Sequence, residues 1–207
     1  MSRYFLDPQQ PLSTCSSENC TGCPLQSRLH CHFHGRDLAG FLAFAFPPFI
    51  VGGFGIARLN AWLLVPWLGI IFAYFLFVEI GVMCSHCPHY AEPGTKSLQC
   101  WVNYGAPKLW KYRPGPMTKG EQIIFITGLL VILGYPLIFL LAGLQSLLLL
   151  VFLGTTVLAA TLLFRKLCTQ CMNFACPFNR VEPESRTIFF ARNPEIDKAW
   201  KKSSSPH

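Results

Sequence analysis

Ten cysteines carry most of the chemistry open to this sequence, and they fall into three groups. Cys15, Cys20, Cys23 and Cys31 are spaced C-x4-C-x2-C-x7-C; Cys84, Cys87 and Cys100 are spaced C-x2-C-x12-C; Cys168, Cys171 and Cys176 are spaced C-x2-C-x4-C. In a reducing compartment such clusters bind metal far more often than they form disulfides. Zinc and iron-sulfur clusters both take sets of thiolates, so spacing alone does not separate them. Three of the cysteines precede proline, at Cys23-Pro24, Cys87-Pro88 and Cys176-Pro177. A Cys-Pro step recurs in bacterial ferredoxin ligand runs, which makes iron-sulfur clusters the expected cofactor and zinc the alternative.

All ten cysteines are predicted ligands. The first group can supply four thiolates by itself, whereas the other two supply three each. Either His86, His89 or another side chain completes those sets, or the second and third groups share a site. In a shared site Cys84, Cys87, Cys168 and Cys171 would make one four-thiolate set and leave Cys100 and Cys176 over. His30, His32 and His34 flank Cys31, where they could serve as ligands, take up protons during quinone chemistry or simply face lipid headgroups. Glu79 lies about one and a half turns before Cys84 in an apolar run. An ionisable residue at that depth is a functional candidate, unless it only snorkels to the interface.

The elements that position these residues are apolar. The chain has 207 residues, 52% hydrophobic and 13% charged, against about 25% charged in an ordinary soluble domain. Uncharged runs extend from Leu38 to Ala57 and from Leu59 to Val78, the latter continuing as apolar sequence to Met83. Each matches the roughly 20 residues that cross a hydrocarbon core. Gln122 to Phe164 is uncharged for about 43 residues, with a polar break at Ala142 to Ser146, and twice the length of one span predicts two helices and a turn. Core helices of soluble proteins average about 11 or 12 residues and seldom lack charge throughout. Pro47, Pro48, Pro66 and Pro136 predict kinks, which lipid-embedded helices tolerate. The expected fold is therefore an all-α membrane protein, with four transmembrane helices in two hairpins and cysteine-rich metal-binding segments on the cytoplasmic side. The roughly 36 polar residues before the first span do not read as a signal peptide.

Of the 17 basic residues, 16 fall in the N-terminal segment, the central connection or the C-terminal segment; Arg58 alone lies in a turn on the other side. This asymmetry predicts a multi-pass protein of the cell inner membrane with both termini cytoplasmic. It also explains the net charge of +7 by topology and lipid headgroups, without a nucleic-acid partner. Trp101, Tyr104, Trp110 and Tyr112 among the basic residues of the connection suit a segment at headgroup level. The resulting organisation is a cysteine-rich tail (1–36), a first transmembrane hairpin (37–83), a cysteine-containing cytoplasmic connection (84–121), a second hairpin (122–165), a C-terminal cysteine motif (166–181) and a polar tail (182–207), the last expected to be a surface or disordered appendage. Each hairpin runs directly into a C-x2-C pair, a weak internal repeat of the parallel kind.

With four spans and cysteine motifs after the second and fourth, the chain resembles the membrane-bound ferredoxin-like proteins of the NapH and NosR type. In that family the helix-terminal motif is C-x3-C-P; the counterparts here are Cys84 with Cys87-Pro88 and Cys171 with Cys176-Pro177, spaced x2 and x4. The ferredoxin run C-x2-C-x2-C-x3-C-P has no counterpart. The resemblance implies iron-sulfur clusters that relay electrons between quinol and a partner protein.

The expected function is thus a membrane-bound iron-sulfur electron-transfer protein, possible as a subunit of an oxidoreductase complex, with membrane lipids, a quinone and a protein redox partner as contacts. A zinc-stabilised membrane scaffold or anchor is the alternative. A thiol-disulfide oxidoreductase would need its thiols on the oxidising side, and a transporter would need more polar groups in its spans. No Gly-rich phosphate loop, H-E-x-x-H run or hydrolytic constellation is present.

Overall fold

A computed structural model of the chain describes residues 22–91 and 95–204. Cys15 and Cys20 lie outside them. Four helices are long and apolar enough to cross a membrane: α1 (Gly35–Leu59), α2 (Ala61–His86), α3 (Lys119–Ala142) and α4 (Ser146–Leu167). They coincide with the uncharged runs of the sequence, and the chain is a multi-pass membrane protein. The described residues contain no strand, only a single antiparallel bridge between Ser97 and Pro107. Large apolar side chains such as Phe46, Ile50, Phe54, Leu130, Ile138 and Leu147 are exposed around the bundle, as lipid rather than water requires.

Where the helices meet, small residues let the backbones approach. A Cβ on Gly128 would stand 2.1 Å from the Tyr74 ring, and one on Gly55 would stand 2.3 Å from Leu140. Gly134 on the same helix faces open space. Gly128→Ala is therefore expected to cost about 1–3 kcal/mol by overpacking, while Gly134→Ala leaves stability unchanged or slightly higher. Thermal unfolding in detergent checks the pair, and equal behaviour of the two variants would contradict this packing.

Pro136 in α3 has no N–H for the carbonyl of Ile132, one turn earlier. That carbonyl accepts instead from Trp67 Nε1 of α2 at 3.0 Å. Tyr74 Oη donates to the Phe125 carbonyl at 2.8 Å, and Gln145 Nε2 donates to the Gly55 carbonyl at 2.9 Å. These bonds tie neighbouring helices where no water can serve.

Both returning helices contain one π-helical turn, at Tyr74–Val78 in α2 and Leu163–Leu167 in α4. Each lies upstream of a C-x2-C pair, and such wide turns are frequent at functional sites. α3 starts with a capping box in which Thr118 and Glu121 bond reciprocally, a T-x-x-E signature present in the sequence. Glu121 also pairs with Arg113. Arg113 in turn donates to the Gly81 carbonyl at 2.7 Å and to Ser85 Oγ at 3.0 Å, pinning the connection to the end of α2.

The polar tail differs from expectation. It forms two helices, α5 (Pro183–Ala191) and α6 (Pro194–Ser204), each opened by proline at a helix start with acidic residues in the first turn. Phe189 and Ile196 are buried with Leu25, Leu29, Met172 and Phe174, so the N-terminal segment, the last cysteine motif and the C-terminal helices share one small core. Arg186 sits 4.3 Å over the Trp200 ring, closing the hairpin by a cation-π contact.

Candidate functional site

At one end of the bundle, a cavity of about 410 Å3 is lined by six of the cysteines: Cys84, Cys87, Cys100, Cys168, Cys171 and Cys176. The second and third groups therefore meet, as a shared site requires. Cys100 and Cys176, which the expected pairing leaves over, face the same space.

Three local structures bring them there. Cys84 and Cys87 occupy the last turn of α2 and its exit, where the Cys87 N–H donates to the Cys84 carbonyl at 2.9 Å. Cys100 rides on a loop closed by bonds from Leu98 N–H to the Ala106 carbonyl (2.8 Å) and from Gly105 N–H to the Leu98 carbonyl (2.9 Å). Gly105 turns this loop at φ +81°, a conformation that favours glycine. The segment after α4 folds back on itself. The Arg180 N–H donates to the Cys168 carbonyl at 2.9 Å, while Asn179 Nδ2 donates to the carbonyls of Cys171 (2.7 Å) and Asn173 (3.1 Å).

Four of the six thiols share a distinctive environment. Cys87 accepts a hydrogen bond from the backbone N–H of His89, Cys100 from Asn103 and Val102, Cys171 from Asn173, and Cys176 from Phe178 and Asn179. The pattern is local, each sulfur accepting from the backbone two or three residues onward. The thiols also lie within one another's electric fields, Cys84 and Cys168 included: Cys171 feels Cys87, Cys100 and Cys176, Cys87 feels Cys100 and Cys176, Cys84 feels Cys87 and Cys100, and Cys176 feels Cys168.

Burial raises all four thiols, and neighbouring thiols raise Cys87, Cys171 and Cys176 further, against the lowering effect of the N–H donors. Cys176 is pushed up to about 12. The N–H groups are thus aimed at sulfurs that burial and repulsion keep protonated in the protein alone. A positively charged group bound among them reverses that balance, because a coordinated thiol is deprotonated outright. Backbone N–H donors then stabilise the thiolates and set their electronic properties.

Cys84 and Cys168 differ. Cys84 Sγ accepts from Asn103 Nδ2 at 3.2 Å, and the Arg180 charge acts on the Cys168 thiol. Among the described residues, no three His, Cys, Asp or Glu side chains converge closely enough to hold a single metal ion.

The histidines separate. His89 lines the cavity, and its ring donates to the His30 carbonyl. Burial lowers it to about 4, so it is neutral near pH 7. His86 does not line the cavity; its Nδ1 lies 2.8 Å from the Gly115 carbonyl and its Nε2 faces Glu121. His30 Nε2 is 2.9 Å from Asp37 Oδ2, with its ring against Trp101. His34 caps α1 through its backbone, and His32 is half-buried outside the cavity. Cys23 and Cys31 are half-buried against the tail core rather than the cavity, and Arg192 Nη1 lies 3.6 Å from Cys23 Sγ. Glu79 does line the cavity and is buried, its Oε1 accepting from Asn103 Nδ2 at 3.3 Å.

The sequence reading missed Asn103, Asn173 and Asn179, which hold the thiol-bearing loops or face the cavity. Their position two to three residues after a cysteine is the signal available for them. The chain matches no family profile, no curated protein and no solved structure.

Proposed function

We propose that this protein is a membrane-bound electron carrier whose cofactor is an iron-sulfur cluster held by Cys87, Cys100, Cys171 and Cys176. The observation that carries the proposal is the convergence of four thiols on one cavity, Cys87 buried and Cys100, Cys171 and Cys176 half-buried, each with a backbone N–H donor at its sulfur. In a four-iron cluster each thiolate would bind a different iron, so the tight convergence demanded by one ion would not be needed. When bound, the cluster supplies reversible one-electron chemistry. The chain's part is to neutralise the ligand charge with N–H groups, exclude water with the apolar walls and hold the ligands at the membrane boundary.

The 16-to-1 distribution of basic residues favours an orientation with both termini and the thiol end in the cytoplasm of an inner membrane. A soluble redox protein is then the partner on that face, and a lipid-soluble quinone is the partner within the membrane. A redox titration of anaerobically purified protein in nanodiscs tests the proposal. Visible absorbance is expected to bleach on chemical reduction and return on oxidation. An absorbance independent of redox state would overturn it.

A further inference from the structure

The thiols account for only one end of the cavity. The rest runs between α1, α3 and α4 and is walled by hydrocarbon, including Phe44, Leu129, Leu133, Ala159 and Ala160. The two alanines leave room that larger side chains would fill. Thr156 belongs to this limb as well, but its hydroxyl is already satisfied by donating to the Phe152 carbonyl at 2.7 Å. Ile126 and Leu130 of α3 line the cavity and are also exposed on the flank of the bundle, at 36% and 65%. The limb therefore reaches the surface that lies against lipid.

Cations border this opening on both sides. Lys119, Ile123, Ile126 and Leu130 follow one another at i, i+4, i+7 and i+11 along α3, hence on one face, and all four are exposed. Lys119 thus stands at the thiol end of the stripe that carries the opening. On α4, Phe164 lines the cavity, and the Arg180 guanidinium sits 4.8 Å over its ring. Arg180 comes from the segment folded back after α4, yet this contact holds its charge against a membrane-spanning helix. Arg165, the residue after Phe164, is also exposed. Among the described residues, no ion pair involves Lys119, Arg165 or Arg180. Glu121, the acidic residue nearest Lys119 in sequence, pairs with Arg113.

We infer that this place binds one anionic phospholipid, its phosphate among Lys119, Arg165 and Arg180 and one acyl chain in the apolar limb. Basic pockets beside transmembrane helices recognise phosphate headgroups in this way. The cavity has the size of a small-molecule site, and its apolar limb suits an alkyl chain, which asks for no hydrogen bond. An acidic protein would answer the charge but has nothing to place in the limb, and Arg180 is held against a helix that lipid surrounds. The acyl chain lies beside the thiols and keeps water from them. The inference rests on neither the metal nor the orientation proposed above.

The test uses the full chain, delipidated in detergent and titrated with palmitoyl-oleoyl phosphatidylglycerol and separately with phosphatidylcholine of the same chains, native mass spectrometry counting the lipids retained. One phosphatidylglycerol per chain is expected, bound about tenfold better than phosphatidylcholine. Lys119→Gln, Arg165→Gln and Arg180→Gln together should erase that preference. Lys96→Gln, Lys111→Gln and Lys198→Gln, at three other exposed cations, should leave it in place. Dihexanoyl phosphatidylglycerol carries the same headgroup on short chains and should compete weakly, and inorganic phosphate not at all. Ala160→Phe should weaken the long-chain lipid about tenfold by filling the limb, with thermal unfolding as the check on folding.

Equal retention of the two long-chain lipids by the wild type, or a preference that survives in the Lys119, Arg165 and Arg180 variant, would overturn the site. Loss of preference in both triple variants alike would overturn it as well, because the attraction would then be diffuse. Full competition by the dihexanoyl lipid or by phosphate would mean that the cations hold a headgroup with no chain in the cavity, again against the site. That arm uses the wild type alone and decides the matter even where Ala160→Phe unfolds.

Discussion

Serine at Cys87 together with Cys171 is expected to remove essentially all bound iron and visible absorbance, while serine at Cys84 together with Cys168 leaves both near wild type. The contrast follows from the donors around each sulfur. Cys87 and Cys171 accept backbone N–H bonds, whereas Cys84 is held by an asparagine side chain and Cys168 feels an arginine. Serine is a poor replacement because its oxygen is a far weaker ligand than thiolate for these metals. The helices should stay inserted in all variants, since about 20 apolar residues per span drive insertion without help from metal. Iron analysis per protein checks the outcome. The pairing suggested by the C-x2-C repeats makes the opposite forecast for the second double variant, complete loss of iron.

The second large effect concerns orientation and is all or none. Asn60 lies in the exposed turn between α1 and α2, where its side chain accepts from the Trp62 N–H. In intact cells a membrane-impermeant maleimide should label Asn60→Cys and none of the ten native cysteines. Arg58 lies in the last turn of α1 and is the one basic residue of the 17 that the sequence places between the first two spans, an asymmetry that would keep the opposite side in the cytoplasm during insertion. Labelling of Cys31 from outside would reverse the orientation and place the thiols in an oxidising compartment, where disulfide chemistry becomes the better account.

The four spans were legible in the sequence because each is a charge-free run of membrane length, and no alternative fold hides that many apolar residues from water. The meeting of the second and third cysteine groups was legible as one of two alternatives, from their places at the ends of two returning helices. That Cys100 and Cys176 face the same cavity was not. Cys100 reaches the cavity through a loop closed by the Leu98–Ala106 pairing, and Cys176 through a segment folded back by Asn179. Both depend on backbone bonds between residues that carry no spacing signature. The α5–α6 hairpin was hidden for another reason. Its apolar stripe is thin, resting on Phe189, Ile196 and Trp200, and average polarity outweighed that periodicity although the proline and acidic starts were present. Trp67 could be read only with the partner helix in view, since its bond goes to the carbonyl that Pro136 leaves free.

What the thiols hold separates an electron carrier from a scaffold. Protein purified without oxygen and analysed at once for iron, acid-labile sulfide and zinc is expected to be brown, with iron and sulfide in comparable amounts and zinc well below one per chain. A colourless preparation with stoichiometric zinc and no iron, obtained under the same anaerobic conditions, would contradict it and leave a zinc-stabilised membrane scaffold in its place.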